Sequence, residues 1–81
     1  MNNASIADNL KMNKNYLQKF AIHLKYLRKE RHFTQDDMAV NGISRSMISL
    51  LELARTDVTV TKLKIIADNL GLKVKDLFDF E

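Results

Sequence analysis

The sequence has no cysteine, no proline and no tryptophan, and only two glycines in 81 residues. Without cysteine it has neither disulfides nor thiolate metal ligands, so a domain of this size depends on helix packing or dimerisation for its stability. No apolar run approaches the ~20 residues that span a bilayer, and the polar start lacks the apolar stretch of a signal peptide. We expect one soluble, cytoplasmic domain with no membrane association.

The composition favours an all-α fold. Apolar residues make up 46% and charged residues 28% of the chain, as in a globular protein. Proline-free sequence with apolar residues at helical spacing argues against a sheet. The net charge of +3 is too small to diagnose a polyanion partner. Basic residues are concentrated in the first 33 positions, at Lys11, Lys14, Lys19, Lys25, Arg28, Lys29 and Arg31. This end is either a solvated helix face or a surface that meets phosphates.

The chain divides into a polar N-terminal segment and one domain. Residues 1–15 are rich in asparagine and are predicted as an arm or a short extra helix, and residues 16–81 form the domain. The first domain helix is predicted from Tyr16 to near Arg31. Its buried stripe has apolar residues at intervals of three and four, namely Leu17, Phe20, Leu24 and Leu27.

The second predicted helix is short. Thr34 can accept a hydrogen bond from a backbone amide at the helix start, and Asp37 can return one three residues later. The dipeptide Asn41-Gly42 is the strongest turn signal in the chain, since glycine suits the left-handed conformation that ends a helix. This helix is therefore predicted to make about two turns.

Three more helices are predicted beyond Gly42. Ser44 can cap a third helix that buries Ile48 and Leu51, and Thr59 can cap a fourth helix that ends at Gly71. The buried face of the fourth helix is predicted to comprise Leu63, Ile66, Ala67 and Leu70. A fifth helix is predicted from apolar residues near the C-terminus, Val74, Leu77 and Phe78.

Catalytic and metal-binding patterns have little support. His23 and His32 do not have a metal-ligand spacing, and the two glycines lie too far apart for a phosphate-binding loop. We expect no enzymatic activity, no metal and no cofactor, and we interpret His23 as a surface residue of its helix. Phe78 and Phe80 exceed what a small core needs, so they either seal the domain or belong to a dimer interface.

The order of several short motifs carries a family resemblance. Thr34-Gln35, Gly42-Ile43-Ser44, Ile48-Ser49 and Glu52 are followed by the run from Leu63 to Gly71. This order resembles the helix-turn-helix of Cro and phage-repressor type regulators, the XRE family, over roughly residues 17–78. The resemblance implies a five-helix, repressor-like domain with the helix-turn-helix at the second and third helices.

Two departures from the family pattern stand out. Gly42 lies three residues after Ala39, where the family usually has four, so one residue is missing before the third helix. An early end of the second helix and a tighter turn would absorb the loss. Ala54 and Val58 occupy positions where the family often has glycine and proline, which stiffens the first position and loosens the second.

The resemblance makes the third helix the candidate reader of a DNA major groove. Arg45 in its first turn is the main candidate for a base contact, because a guanidinium can bond O6 and N7 of guanine together. The full set of candidate base contacts is Arg45, Ser46, Ser49 and Leu50. Candidate phosphate contacts are Gln35, Arg55, Thr56, Thr59 and Lys62. Glu52 is expected to form an exposed pair with Arg28, contributing only about 0–1 kcal/mol.

The function implied is sequence-specific binding of double-stranded DNA by a homodimer that represses transcription by operator occupancy. Proteins of this length and architecture are similar to controller proteins of restriction-modification systems and to small phage repressors. The alternative is a protein-binding helical module, such as an antitoxin-like partner, in which the shortened turn has cost the chain its groove docking. A third hypothesis is nonspecific nucleic-acid association through the basic N-terminal third.

Overall fold

The computed structural model describes residues 3–80, with side chains described for residues 15–80. Within that range the chain forms three α-helices, α1 (Asn3–Glu30), α2 (Arg45–Glu52) and α3 (Val60–Leu70), followed by a 3₁₀ helix (Val74–Phe78), and it has no strand. The all-α prediction is confirmed. None of the helices in this part of the chain is both long and apolar enough to span a bilayer.

The prediction of five α-helices is wrong in two places. The second predicted helix is replaced by two overlapping turns, in which the amides of Met38 and Ala39 donate to the carbonyls of Gln35 and Asp36 at 3.2 and 3.0 Å. These i→i+3 bonds are of the 3₁₀ type, and too few residues precede Asn41-Gly42 to repay the cost of nucleating an α-helix. The predicted fifth helix is a 3₁₀ helix, because a segment of five residues is also too short to repay the cost of nucleating an α-helix.

Helix α1 begins earlier than predicted. It runs without interruption from Asn3, so the predicted start at Tyr16 is wrong. Most of the N-terminal segment that was expected as an arm or a separate short helix is therefore continuous with α1, and residues 1 and 2 lie outside the described range. At about 1.5 Å per residue, a helix of 28 residues is about 42 Å long, close to the longest dimension of the molecule, 45 Å.

One apolar core joins all the elements. Ile48 and Leu51 of α2 are buried as predicted. The predicted face of α3, Leu63, Ile66, Ala67 and Leu70, is buried as well. The remaining core side chains are Phe20 and Leu24 of α1, Met38 and Ile43 between the first two helices, and Leu77 of the 3₁₀ helix. Because every element contributes side chains to one core, packing between the elements stabilises all of them.

The C-terminal aromatic residues pack onto α1. The ring centroid of Phe78 lies 5.2 Å from that of Phe20, and the Phe80 centroid lies 5.3 Å from that of Tyr16. His23 lies at the surface of its helix but is half-buried there, and its ring Nε2 is 2.8 Å from the carbonyl oxygen of Asp76. This hydrogen bond ties the middle of α1 to the 3₁₀ helix.

Residues 34–43, which we call the turn segment, begin with a reciprocal exchange between Thr34 and Asp37. The Thr34 amide donates to the Asp37 carboxylate at 2.7 Å, and the Asp37 amide donates to the Thr34 hydroxyl at 3.1 Å. The predicted capping pair is confirmed, and its hydrogen bonds lower the pKa of Asp37. The segment closes at Asn41 and Gly42, whose φ angles of 57° and 87° are both positive, as in a type I′ turn.

All three α-helices end in the same way, with a residue in the left-handed region. After α2 the amide of Arg55 donates to the carbonyl of Leu50 at 2.9 Å, and that of Ala54 donates to Leu51 at 3.1 Å, which is a Schellman motif. The left-handed position is Gly71 after α3, with φ 70°, but His32 after α1 and Ala54 after α2, with φ 59° and 56°. A side chain at φ near 60° is strained, so Ala54 stores unfavourable energy at the end of α2.

The Ala54→Gly substitution should stabilise the protein by about 0.5–1 kcal/mol, because glycine removes the strain of the left-handed conformation. Glycine also increases the conformational entropy of the unfolded chain, but this opposing effect is smaller than the strain that is removed. Urea unfolding followed by circular dichroism measures the change. The matched control is Leu53→Gly, one residue earlier at φ −94°, which should not stabilise. An unchanged or lower unfolding midpoint for Ala54→Gly would contradict the strain argument.

Candidate nucleic-acid interface

Helix α2 is a short helix with one buried side and one exposed side. Ser44 caps it, since its hydroxyl accepts a hydrogen bond from the Met47 amide at 3.0 Å. The cap leaves the first turn facing outward while Ile48 and Leu51 anchor the opposite side in the core. The exposed side of α2, which we call its outward arc, is therefore held in place both by the Ser44 cap and by the burial of Ile48 and Leu51.

The four candidate base-contact residues all lie on α2. Arg45, Ser46 and Leu50 are exposed, and Ser49 is half-buried. The side chain of Arg45 is 65% exposed, so its guanidinium is accessible to a ligand. Leu50 is a large apolar side chain left open to solvent on the same arc. The structure thus brings together on one surface the side chains that the sequence proposed for reading bases.

Arg45 has one charged neighbour. Its Nε lies 3.7 Å from the Asp36 carboxylate, and both side chains are exposed. An exposed pair at this distance is worth little energy, but it draws the guanidinium toward the turn segment. Asp36 also places a negative charge beside α2, and this charge disfavours the approach of a phosphate at that point.

A buried ion pair joins α1 to the end of α2. Arg28 Nε and Nη2 donate to the two carboxylate oxygens of Glu52 at 2.6 and 2.9 Å, and Nη1 donates to the Phe33 carbonyl at 2.7 Å. The side chains of Arg28 and Glu52 are only 9% and 3% exposed, so the expectation of an exposed pair is wrong. The pairing was predicted correctly, but the surrounding core removes it from water. The hydrogen bonds to Glu52 raise the pKa of Arg28.

Gln35 belongs to the same network. Its Nε2 donates to Glu52 Oε1 at 3.2 Å, and the residue is half-buried. An amide nitrogen carries two hydrogens, so this bond uses one and leaves a second donor on the group. The Glu52 carboxylate therefore fixes the position of a predicted phosphate-contact side chain at the start of the turn segment.

The other four candidate phosphate contacts follow α2 in the chain. Arg55 is exposed directly after the helix, and the Thr56 hydroxyl donates to the Asp57 carbonyl at 3.3 Å. Thr59 caps α3 as predicted, because its hydroxyl accepts a hydrogen bond from the Lys62 amide at 3.2 Å. Thr59 and Lys62 are thus adjacent at the start of α3, whereas Arg55 and Thr56 belong to the loop before it. Among the described side chains, no histidine and carboxylate cluster has a metal-binding arrangement.

Asn69 is a residue of this region that sequence reasoning missed. From the last turn of α3, its Nδ2 lies 3.3 and 3.1 Å from the carbonyl oxygens of Met38 and Val40, and its Oδ1 accepts a hydrogen bond from Asn41 at 2.8 Å. These bonds hold the end of the turn segment that leads into α2. No local sequence signal identifies this role, because the partners lie about 30 positions away.

Comparison with known proteins agrees with this geometry. A family model described as Helix-turn-helix matches residues 24–77, a range that includes the turn segment, α2 and α3. The match covers more than half of the chain, and the protein belongs to this family, the XRE-type helix-turn-helix regulators. The predicted family is confirmed, and the protein is a DNA-binding transcriptional regulator. No curated protein and no solved structure matches the chain.

Breaking the buried ion pair should strongly destabilise the fold. Arg28→Met and Glu52→Met each leave a buried charge without its partner, which costs about 3–5 kcal/mol. The double variant should be more stable than either single variant, because it leaves no unpaired buried charge. Urea unfolding of all three gives the coupling energy.

The control for this cycle is Lys64→Met, which breaks the exposed pair with Asp68 and should cost less than about 1 kcal/mol. Single-variant costs as small as that of the control would show that the Arg28–Glu52 pair contributes little. If a single variant does not fold, a folded double variant still supports the argument.

Removing the Asn69 side-chain hydrogen bonds should destabilise the end of the turn segment that leads into α2. We expect Asn69→Ala to lower the free energy of unfolding by about 1–3 kcal/mol and to weaken DNA binding by about tenfold at a temperature where both proteins are folded. Fluorescence anisotropy with labelled duplex gives the affinity. Asn15→Ala, on the exposed side of α1, is the matched control. An unchanged affinity for Asn69→Ala would show that α2 does not depend on this contact.

Proposed function

We propose that the protein represses transcription by occupying an operator as a homodimer in the cytoplasm, with one α2 in the major groove of each half-site. The observation that carries this proposal is the exposed arc of α2, which places the Arg45 guanidinium at the first turn of a capped and anchored helix. A B-DNA major groove accommodates one α-helix, and its base edges differ among the four base pairs.

Arg45 is proposed as the main reader. A guanidinium can donate to O6 and N7 of one guanine, which discriminates against other bases by about 1–3 kcal/mol. The weak pair with Asp36 is exchanged for this contact on binding. Since Asp36 repels phosphates beside Arg45, the guanidinium gains more by bonding to base edges than by bonding to the DNA backbone.

The other residues of the arc have supporting roles in this proposal. Ser46 and Ser49 are short enough to let the helix backbone approach the groove floor, and each hydroxyl can donate or accept. Leu50 remains exposed in the free protein and can contact the methyl group of a thymine. These contacts account for an apolar side chain on an otherwise polar arc.

Phosphate contacts are proposed on both sides of α2 in the chain. The second amide hydrogen of Gln35 is available as a donor before α2, and the loop and the start of α3 supply further donors after it. The proposed set is Gln35, Arg55, Thr56, Thr59 and Lys62. These residues set the register of the protein on DNA and make its affinity salt-dependent.

Repression follows from occupancy in this proposal. With α2 in the groove, a dimer would cover two half-sites whose centres lie about 34 Å apart, one helical turn of DNA. A bound protein at a promoter excludes polymerase. A two-fold symmetric operator is therefore expected.

Selection of bound duplexes from a random pool tests the proposed function directly. We expect an enriched motif with two-fold symmetry. Arg45→Ala should relax the preference at one base pair of each half-site by about 5-fold to 150-fold. Arg55→Ala is the comparison, because it should weaken binding to all sequences alike and reduce the dependence of log affinity on log salt by about one.

Two results would contradict the proposal. One is a pool without an enriched motif, and the other is unchanged base preference in Arg45→Ala. A loss of preference with Arg55→Ala, but not with Arg45→Ala, would exchange the proposed roles of the two arginines.

The alternative proposal is a protein-binding module, and the observation that favours it is the loss of the second α-helix. Two overlapping turns replace a helix that supports the reading helix elsewhere in the family. This alternative predicts a stable protein partner at a 1:1 ratio together with no DNA binding at any salt concentration. DNA binding that strengthens at low salt and selects a motif would reject it.

A further inference from the structure

One face of α1 exposes large apolar side chains. Ile22 is 70% exposed and Tyr26 is 56% exposed, one helical turn apart. Together with Lys19, His23 and Phe80 they line a shallow surface groove. We call Lys19, Ile22, Tyr26 and Glu30 the α1 stripe. Isolated exposed apolar residues are common on protein surfaces, but two adjacent ones beside a half-buried aromatic ring form a patch.

The α1 stripe is turned away from the DNA-reading side. At about 100° per residue, Tyr26 lies about 160° around α1 from Arg28, the residue that holds the end of α2. A partner on the stripe would therefore leave α2 exposed. Phe80, at the edge of this patch, packs against the rings of Tyr16 and His23 on α1. These contacts hold Phe80 in place beside the exposed apolar side chains.

The charges of the α1 stripe are complementary to a second copy of itself. Lys19 lies before the apolar pair and Glu30 lies after it, on the same flank of the helix. If two such helices run antiparallel, Ile22 of one meets Tyr26 of the other, and Lys19 of one comes beside Glu30 of the other. A two-fold axis forms both ion pairs at once. The Glu30 carboxylate already accepts a hydrogen bond from the Tyr26 phenol, which raises the pKa of Tyr26.

We propose that the α1 stripe is the dimer interface, with the α1 helices of two copies packed antiparallel about Ile22 and Tyr26. This inference rests on the proposed homodimer and names its surface. It accounts for the exposed apolar pair, and it turns the two α2 helices outward. It also gives Phe80 a place in the interface, at the rim.

Sedimentation equilibrium of the full chain without DNA tests the surface. Ile22→Lys should raise the dimer dissociation constant by about 100-fold, because each dimer loses two buried isoleucines. The matched control is Val60→Lys, which makes a similar apolar-to-lysine change at an 81% exposed side chain on α3 and should leave the constant unchanged. Circular dichroism melts check that each variant is folded.

A charge exchange tests the antiparallel direction. Lys19→Glu and Glu30→Lys should each weaken the dimer, and the double variant should restore it. Since the chain has no cysteine, Ile22→Cys and Tyr26→Cys can also be mixed and oxidised. The disulfide between the two different variants should exceed either disulfide between identical copies, as measured by mass spectrometry.

The outcomes separate this inference from the proposed function. A dimer whose dissociation constant is the same for wild type and Ile22→Lys overturns the α1 stripe as the interface and leaves the homodimer in place. A dimer weakened by Ile22→Lys but not restored by the charge exchange overturns the antiparallel pairing. A wild-type protein that is monomeric in solution and binds operator as one copy overturns both the interface and the homodimer.

Discussion

The orientation of α2, the helix that we propose reads DNA, depends on one buried ion pair. Helix α2 is only eight residues long and would not persist alone in water. Arg28 joins its last residue, Glu52, to α1 through two hydrogen bonds and holds the Phe33 carbonyl with a third. Burial of charge is costly, and it is tolerated here because the facing groups are matched in geometry. The same carboxylate positions Gln35, so one group connects α1, the turn segment and α2.

The shortened turn segment needs a second support, which comes from a distant part of the chain. A chain with the family's usual spacing has room for a helix before α2, and this chain has two overlapping turns instead. Asn69 donates to the carbonyls of Met38 and Val40, so a side chain of α3 holds the end of the turn segment. The C-terminal end of α2 is thus held by Arg28, and the turn segment before α2 is held by Asn69 of α3.

The features that could be predicted from the sequence are those that arise locally. Ser44, Thr59 and the Thr34–Asp37 exchange act within one turn of chain, and the buried faces of α2 and α3 follow from helical periodicity. The features that could not be predicted depend on distant contacts. The Arg28–Glu52 pair is buried only because the assembled core surrounds it. The role of Asn69 depends on the turn segment, which is distant in the sequence and lies beside α3 only in the folded chain. The exposure of Arg45 was predictable, whereas its proximity to Asp36 was not.

Helix α1 is bound to α2 through Arg28 on one side and exposes Ile22 and Tyr26 on the other. In a dimer formed through the side of α1 that carries Ile22 and Tyr26, the packing of the two α1 helices would set the distance between the two copies of α2. The side chains of α2 would set which base pair is bound. Changes at position 45 would then create a new binding preference without altering how far apart the paired sites must lie. Related regulators could diverge in target sequence while keeping a constant operator architecture.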